Sequence, residues 1–391
     1  MGREIAMSDP VVSRRAFLRI TALASIGAAC PALFGGCATV RHRLPDAAEL
    51  SLQKKIAQML MIGFRGITLS GSEPIVRDIR ELGIGAVVLF DYDDELKSYE
   101  RDIASPQQLA ELTTTLGNYA ELPLLIAIDQ EGGRVARLKL RHGFPPTVSA
   151  RYLGKVNDPS QTAWFSSRMA ETLHAAGINL NFAPVVDLDL NPDNPIIGRY
   201  ERSFSADPAA VVSHARAFIK AHDVNNVLTC LKHFPGHGSS TADSHKGFVD
   251  VTDSWTEKEL EPYRVLLGEG NCRVVMTAHI FNRRLDPDYP ATLSKATITG
   301  LLRQKLGFNG VVVSDDLQMG AIRLHYSFET AVEKAILAGV DVLDICNEAV
   351  YDPDAAPRTI ELVTRLVQQG VISEERINSS YYRIMALKRG L

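Results

Sequence analysis

From about residue 48 onward, eight short apolar runs recur along the chain, each separated from the next by a polar stretch long enough for a helix. They are Met59–Phe64, Ile84–Phe90, Leu124–Asp129, Ile178–Ala183, Val227–His233, Arg273–Ala278, Gly310–Ser314 and Val340–Ile345. Runs without polar alternation belong to strands covered on both faces, and strands that alternate with amphipathic helices form parallel βα units. Eight such units predict an α/β chain folded as a (β/α)8 barrel of the TIM type, a single catalytic domain over 48–391. The runner-up is a doubly wound open sheet, but no G-x-G-x-x-G follows a strand, which removes its usual nucleotide-binding version. The start chemistry of the helices supports the alternation. Ser105-Pro106 and Asp207-Pro208 place a capping side chain before a first-turn proline, and Thr256 with Glu259 reads as a capping box. After the eighth run the remaining residues suffice for two helices, and neither an internal repeat nor a Pro-, Gly- or Ser-rich linker divides the domain.

Composition narrows the function classes. With 391 residues, 46% hydrophobic and 23% charged, the chain buries a sizeable core and is neither disordered nor a polytopic membrane protein. Forty-two Lys and Arg against 46 Asp and Glu leave a net charge of −4, so no basic surface is offered to nucleic acid. Five cysteines are too few and too scattered for a disulfide framework, and none forms a C-x-x-C pair. Cys230, Cys272 and Cys346 lie in apolar stretches and read as small buried hydrophobes.

The first residues read as an address. Ser13-Arg14-Arg15-Ala16-Phe17-Leu18-Arg19 precedes an apolar run from Ile20 to Phe34, too short to span a bilayer comfortably. The string resembles a twin-arginine export signal, and Leu33-Phe34-Gly35-Gly36-Cys37 resembles a lipobox with Cys37 as the lipidated residue. The expected organisation is an export signal over 1–36, a linker over 37–47 and the barrel beyond. A protein so processed is periplasmic or a membrane-anchored lipoprotein, with the membrane a partner only through its lipid.

Active sites of such barrels form at the C-terminal ends of the strands. There the third run ends in Asp129-Gln130-Glu131-Gly132-Gly133-Arg134, with Arg137 beyond; the fifth ends in Lys232-His233; the sixth adds His279; the seventh ends in Ser314-Asp315-Asp316. In the loop 234–246, Asp243 and His245 stand two apart and point the same way if the backbone is extended. A carboxylate beside an imidazole raises its pKa and makes His245 a candidate proton shuttle, against the plainer reading of an exposed loop histidine. Asp315 is a candidate nucleophile toward a carbon that gains cationic character; the plainer reading is a helix cap over Leu317–Arg323, a role better suited to Asp316. A metal on His233, His237 and His279 is the competing chemistry, but Pro235 and Gly236 break any helix that would align His233 with His237. The expectation is no metal and no cofactor.

Five strings, IDQEGGRVARL (128–138), ERSFSADP (201–208), KHFPGHG with DSH (232–245), MTAHI (276–280) and GVVVSDDLQM (310–319), resemble in content and order the bacterial β-N-acetylhexosaminidases of glycoside hydrolase family 3. The resemblance implies that Asp315 is the nucleophile of a covalent glycosyl-enzyme intermediate and that His245, paired with Asp243 on a mobile loop, is the general acid and base. It assigns Asp129, Arg137, Arg202, Lys232 and His233 to the hydroxyls and acetamido group of the terminal sugar. The spacing between Gly198 and the ERSF string is slightly long, so Arg199 competes with Arg202 for that role. The implied activity is an exo-acting, retaining β-N-acetylglucosaminidase acting on peptidoglycan fragments or chitin-type oligosaccharides. Alternatives are a glucosidase or phosphorylase of the same family, or a catalytically idle glycan-binding lipoprotein.

Overall fold

The computed structural model describes residues 44–391; the stretch 1–36 expected to be an export signal, Cys37 and most of the expected linker over 37–47 lie outside the described residues. The eight apolar runs become eight parallel strands: β1 (Leu60–Gly63), β2 (Ala86–Leu89), β3 (Leu125–Ile128), β6 (Leu180–Asn181), β7 (Leu228–Phe234), β8 (Val274–Thr277), β9 (Val311–Val313) and β10 (Leu343–Ile345). Two further strands, β4 (Gln130–Gly132) and β5 (Val135–Ala136), make a separate antiparallel hairpin at the end of β3. Neighbours in the barrel run β10-β1-β2-β3-β6-β7-β8-β9, and a bridge between Val313 and Val342, with Ser314 N donating to Val342 O at 2.9 Å, closes the ring. The strands are buried along their whole length, as the unbroken apolar runs require.

Helices wrap the outside. The helix Pro106–Tyr119 buries Leu109, Leu112, Thr113 and Leu116, a stripe at helical spacing, and starts with a complete capping box between Ser105 and Gln108. Asp207 caps the helix Pro208–Val224 through Ala209 N. Two helices, Ala355–Gln368 and Glu374–Lys388, follow β10. The last one is tied to the barrel by Asp341, which accepts from Arg303 Nη2 at 2.6 Å, Ser380 Oγ at 2.7 Å, Arg383 Nη1 at 3.1 Å and Val312 N at 3.0 Å. Among the described residues no helix is long and apolar enough to cross a membrane.

Two sequence expectations are corrected. Thr256 makes no side-chain cap bond, and Glu259 turns inward, buried, to accept from Gly238 N at 2.9 Å and Ser239 Oγ at 2.5 Å. Two buried donors in the loop after β7 outcompete one solvated helix terminus. The helix over Leu317–Arg323 is confined to Gly320–Arg323 with Met319 at its N-cap, and Asp316 instead accepts from Gln318 N at 3.0 Å and Cys346 N at 3.2 Å, joining the ends of β9 and β10.

Replacing Asp341 with Ala leaves the guanidinium groups of Arg303, Arg383 and Arg376, the last 3.6 Å away, without their shared carboxylate. The expected loss of stability is about 3 kcal/mol or more, read as a lower urea midpoint at unchanged slope; a midpoint equal to that of the wild type would show the tie to be dispensable.

Candidate active site

The C-terminal ends of the strands open into a cavity of about 580 Å³. Asp129, Arg137, Arg202, Lys232, His233, Asp243, His245 and Asp315 all line it, so the structure brings every candidate catalytic and sugar-binding residue of the described chain into one space. Arg199, the competitor of Arg202, is exposed and absent from the lining; its backbone alone is used, its N–H donating to Asn194 O at 2.9 Å and its carbonyl accepting from Arg134 Nη1 at 3.4 Å.

The inner wall is a relay of paired charges. The β4–β5 hairpin turns at Gly132 and Gly133, both with positive φ (102° and 62°), and a Cβ on Gly133 would lie 2.6 Å from that of Ser149. The reversal returns Arg137 to the end of β3, where its Nη2 lies 3.3 Å from Asp129 Oδ2. Gln130 holds the turn by accepting from Arg137 N at 2.9 Å and Leu138 N at 3.0 Å. Lys232, buried at the end of β7, places its ammonium 2.6 Å from Asp129 Oδ1 and 2.8 Å from Glu131 Oε1. Arg202 grips Glu131 with two bonds of 2.8 and 2.7 Å. Burial opposes ionisation of Asp129 and Glu131, yet the cations facing them hold Asp129 well below the usual carboxylate range and lower the pKa of Glu131.

Arg202 also fixes a protonation state. Its Nη2 lies 3.0 Å from His233 Nε2, and because a guanidinium only donates, that nitrogen accepts. His233 Nδ1 therefore carries the hydrogen and donates to Asp187 Oδ2 at 2.7 Å. Burial, together with Arg202 and Lys232, pushes the His233 imidazole well below its ordinary value and keeps it neutral. His279 is neutral for a similar reason, buried with Nε2 2.8 Å from Asp316 O and Nδ1 2.8 Å from Thr292 Oγ1. His237 is held between Ser240 and Ser244. Each ring thus has a non-metal partner, and among the described residues no group of three or more His, Cys, Asp or Glu is placed to hold a metal ion.

The mouth carries the titratable pair. His245 Nδ1 lies 2.8 Å from Asp243 Oδ1; the two pair across a turn, closed by Lys246 N on Asp243 O at 3.1 Å, and not along the extended backbone expected, while 60% of the His245 side chain stays exposed and Nε2 has no protein partner. Desolvation opposes the charged imidazole, but the hydrogen bond to Asp243 and the charge of Asp315 prevail and raise its pKa. Asp315 follows β9, its Oδ1 accepting from Asp316 N at 2.9 Å. Burial acts against its charge, yet its pKa is lowered: with His279 and His233 neutral, the protonated His245 and the Asp316 N–H stabilise the carboxylate. The base of the 234–246 loop is pinned by Asp187, which accepts from His237 N at 2.8 Å, by Trp255 Nε1 on Pro235 O at 3.1 Å, and by Glu259 on Gly238 and Ser239. Its tip clasps the segment after β9 by backbone alone, with Ala321 N donating to Ser244 O and Gly320 N to His245 O.

The sequence profile of the glycosyl hydrolase family 3 N-terminal domain matches residues 51–387. The chain belongs to glycosyl hydrolase family 3. β-Hexosaminidase A of Pseudoalteromonas piscicida is 31% identical across 90% of this family 3 chain and 63% of its own length. β-Hexosaminidase of Nitrosomonas eutropha is 35% identical across 78% and 84%. A solved family 3 β-N-acetylglucosaminidase from Paenibacillus sp. str. FPU-7 superposes with a TM-score of 0.79 at 34% identity, over 87% of this chain and 62% of that one. The match therefore spans under two thirds of the length of the Pseudoalteromonas and Paenibacillus proteins.

Sequence reasoning missed Glu131, Asp187 and Glu259 as parts of the family 3 site. Glu131 was in view beside Asp129 but had no partner until Arg202 and Lys232 were placed. Asp187 sits in the apolar stretch PVVDLDL, and an acid inside such a stretch is the signal that marks it. Glu259 is pushed up to about 7 by burial and, with it, the charge of Asp187. Glu259→Ala removes both loop-base acceptors; kcat is expected to fall about tenfold or more through misplacement of His245, with faster hydrogen exchange confined to 236–246. Unaltered kcat and exchange would show that the loop stands without it.

Proposed function

We propose that the chain is an exo-acting β-N-acetylglucosaminidase that removes terminal N-acetylglucosamine with retention of configuration. The observation that carries this is the convergence of Asp315 and the Asp243–His245 pair on one cavity whose inner wall is lined by paired Asp, Lys and Arg side chains. The wall suits a sugar: Arg137, Arg202 and Lys232 offer donors and Asp129 offers acceptors, each as a charge-assisted partner for hydroxyl or acetamido groups. The names of the similar proteins support the acetamido sugar over glucose.

The two reacting groups are poised in complementary states. Asp315, lowered, is ionised and attacks the anomeric carbon; His245, raised and held at Nδ1 by Asp243, is protonated at Nε2 and donates to the departing glycosidic oxygen. The carbon–oxygen bond to the leaving group breaks as the bond to Asp315 forms. Neutral His245 then takes a proton from water, whose oxygen displaces Asp315 from the sugar. The pattern is the two-step one of retaining glycosidases with an imidazole in place of the acid carboxyl. We further propose export and lipid attachment at Cys37, on the strength of the twin-arginine-like string and the lipobox-like end of 1–36; the substrates met there are peptidoglycan fragments or chitin-type oligosaccharides.

The test is hydrolysis of 4-nitrophenyl N-acetyl-β-glucosaminide beside the matching β-glucoside, with and without phosphate. Activity on the acetamido sugar alone, independent of phosphate, is expected; turnover of the glucoside or dependence on phosphate would overturn the reading. Asp315→Ala is expected to lower kcat by about 10³-fold or more while N-acetylglucosamine binding by calorimetry persists. Activity of the wild type falls as pH rises through the raised pKa of His245 and as it drops through the lowered pKa of Asp315. Asp243→Asn removes the charge that supports the imidazolium, so the alkaline limb of kcat/KM is expected to move to lower pH; an unmoved limb would dissociate Asp243 from the acid.

A further inference from the structure

One buried carboxyl in the cavity has no task in the preceding scheme. Asp344 lies at the centre of β10, between Leu343 and Ile345, which are fully buried in the hydrophobic core. Strand alternation turns its side chain the opposite way, into the barrel, where it lines the floor of the cavity while only 2% exposed. Its backbone is fixed to the nucleophile segment: Asp344 N donates to Ser314 Oγ at 2.9 Å, and its carbonyl accepts from Leu317 N at 3.1 Å. Its Oδ1 has no hydrogen-bond partner. The Cys346 thiol lies beside the carboxyl, and other carboxyls of the cavity are held by cations or backbone N–H groups. Asp129 is held by Lys232 and Arg137, and Asp316 by Gln318 N and Cys346 N. A second orphan in the same cavity, Arg137 Nε, is a donor without an acceptor.

A polar atom buried without a partner destabilises the fold, and native interiors rarely contain one. An apolar side chain at position 344 would pack between the same neighbours without that cost. The carboxyl as a whole lines the cavity, so the cavity is the side from which a partner can reach it, and on the glycosidase reading the cavity takes the terminal sugar. Burial first, then the charges of Asp316, Asp129 and Asp315, push the Asp344 carboxyl well above the usual range and keep its proton on it. A neutral carboxyl both donates and accepts, which matches a hydroxyl and not a cation.

We propose that Asp344 is a further substrate-binding residue, whose carboxyl hydrogen-bonds a hydroxyl of the terminal sugar at the closed end of the cavity. This rests on the glycosidase reading and adds to it a contact that none of the five motif strings contains. The test compares wild type, Asp344→Leu and Asp344→Asn for kcat/KM on 4-nitrophenyl N-acetyl-β-glucosaminide and on its 3-, 4- and 6-deoxy analogues, together with thermal midpoints. Asp344→Leu is expected to lower kcat/KM about tenfold or more with a midpoint equal to or above that of the wild type, and Asp344→Asn, which keeps a donor and an acceptor, to retain more activity. The loss is expected to vanish against the one deoxy analogue that lacks the contacted hydroxyl. Full activity of Asp344→Leu would overturn the proposal. So would a loss that accompanies a lowered midpoint, or one equal across all analogues. A wild type without turnover would instead overturn the glycosidase reading, and calorimetric binding of N-acetylglucosamine to wild type and Asp344→Leu would then decide the contact: equal affinities, or no binding at all, would overturn it.

Discussion

A buried ammonium with two carboxylates is the constraint on which the site depends. Lys232 is 2% exposed, and a cation so far from water persists only when paired. Its partners, Asp129 and Glu131, lie on the far side of β6, so the pairing ties the end of β7 to the end of β3 across an intervening strand. The remaining groups follow in order. Glu131 orients Arg202, Arg202 dictates which nitrogen of His233 bears hydrogen, His233 donates to Asp187, and Asp187 accepts from the backbone at the base of the loop that carries His245. The base of the loop that carries His245 is thus tied to the buried charges of the inner wall by an unbroken series of contacts.

The barrel was legible in the sequence because its strands are covered on both faces and read as unbroken apolar runs; all eight fall where those runs stand. The hairpin after β3 was not legible, since five residues built around Gly132-Gly133 carry too little hydrophobic pattern to read as strands. The capping-box reading of Thr256 and Glu259 failed because local spacing cannot show that Gly238 and Ser239, some twenty residues earlier, present unsatisfied donors to the same carboxylate.

The site was legible to the extent that its residues end strands or stand in pairs. Asp129, Lys232, His233 and Asp315 are polar residues where apolar runs stop, and Asp243 with His245 is a local pair that its spacing marked, though the two meet across a turn. Arg202 came from family resemblance alone, and only the fold separates it from Arg199. Asp344 was passed over as an acid inside the apolar run Val340–Ile345, and Asp187 because it lies in a stretch beyond the fourth run that the strand pattern did not cover.

The clasp between the loop tip and the segment after β9 has a consequence for how this site changes over generations. Ser244 O and His245 O are held by Ala321 N and Gly320 N, so His245 is docked to the connection that carries Asp315 through peptide groups that every amino acid but proline possesses. Side chains along both segments are free to diversify without disturbing that docking, except at position 320, where a Cβ would stand 2.5 Å from His245 O. As far as this docking goes, the heritable restriction is a glycine at 320 and the exclusion of proline from 320 and 321, and the exposed side chains beside them stay open to selection for new leaving groups.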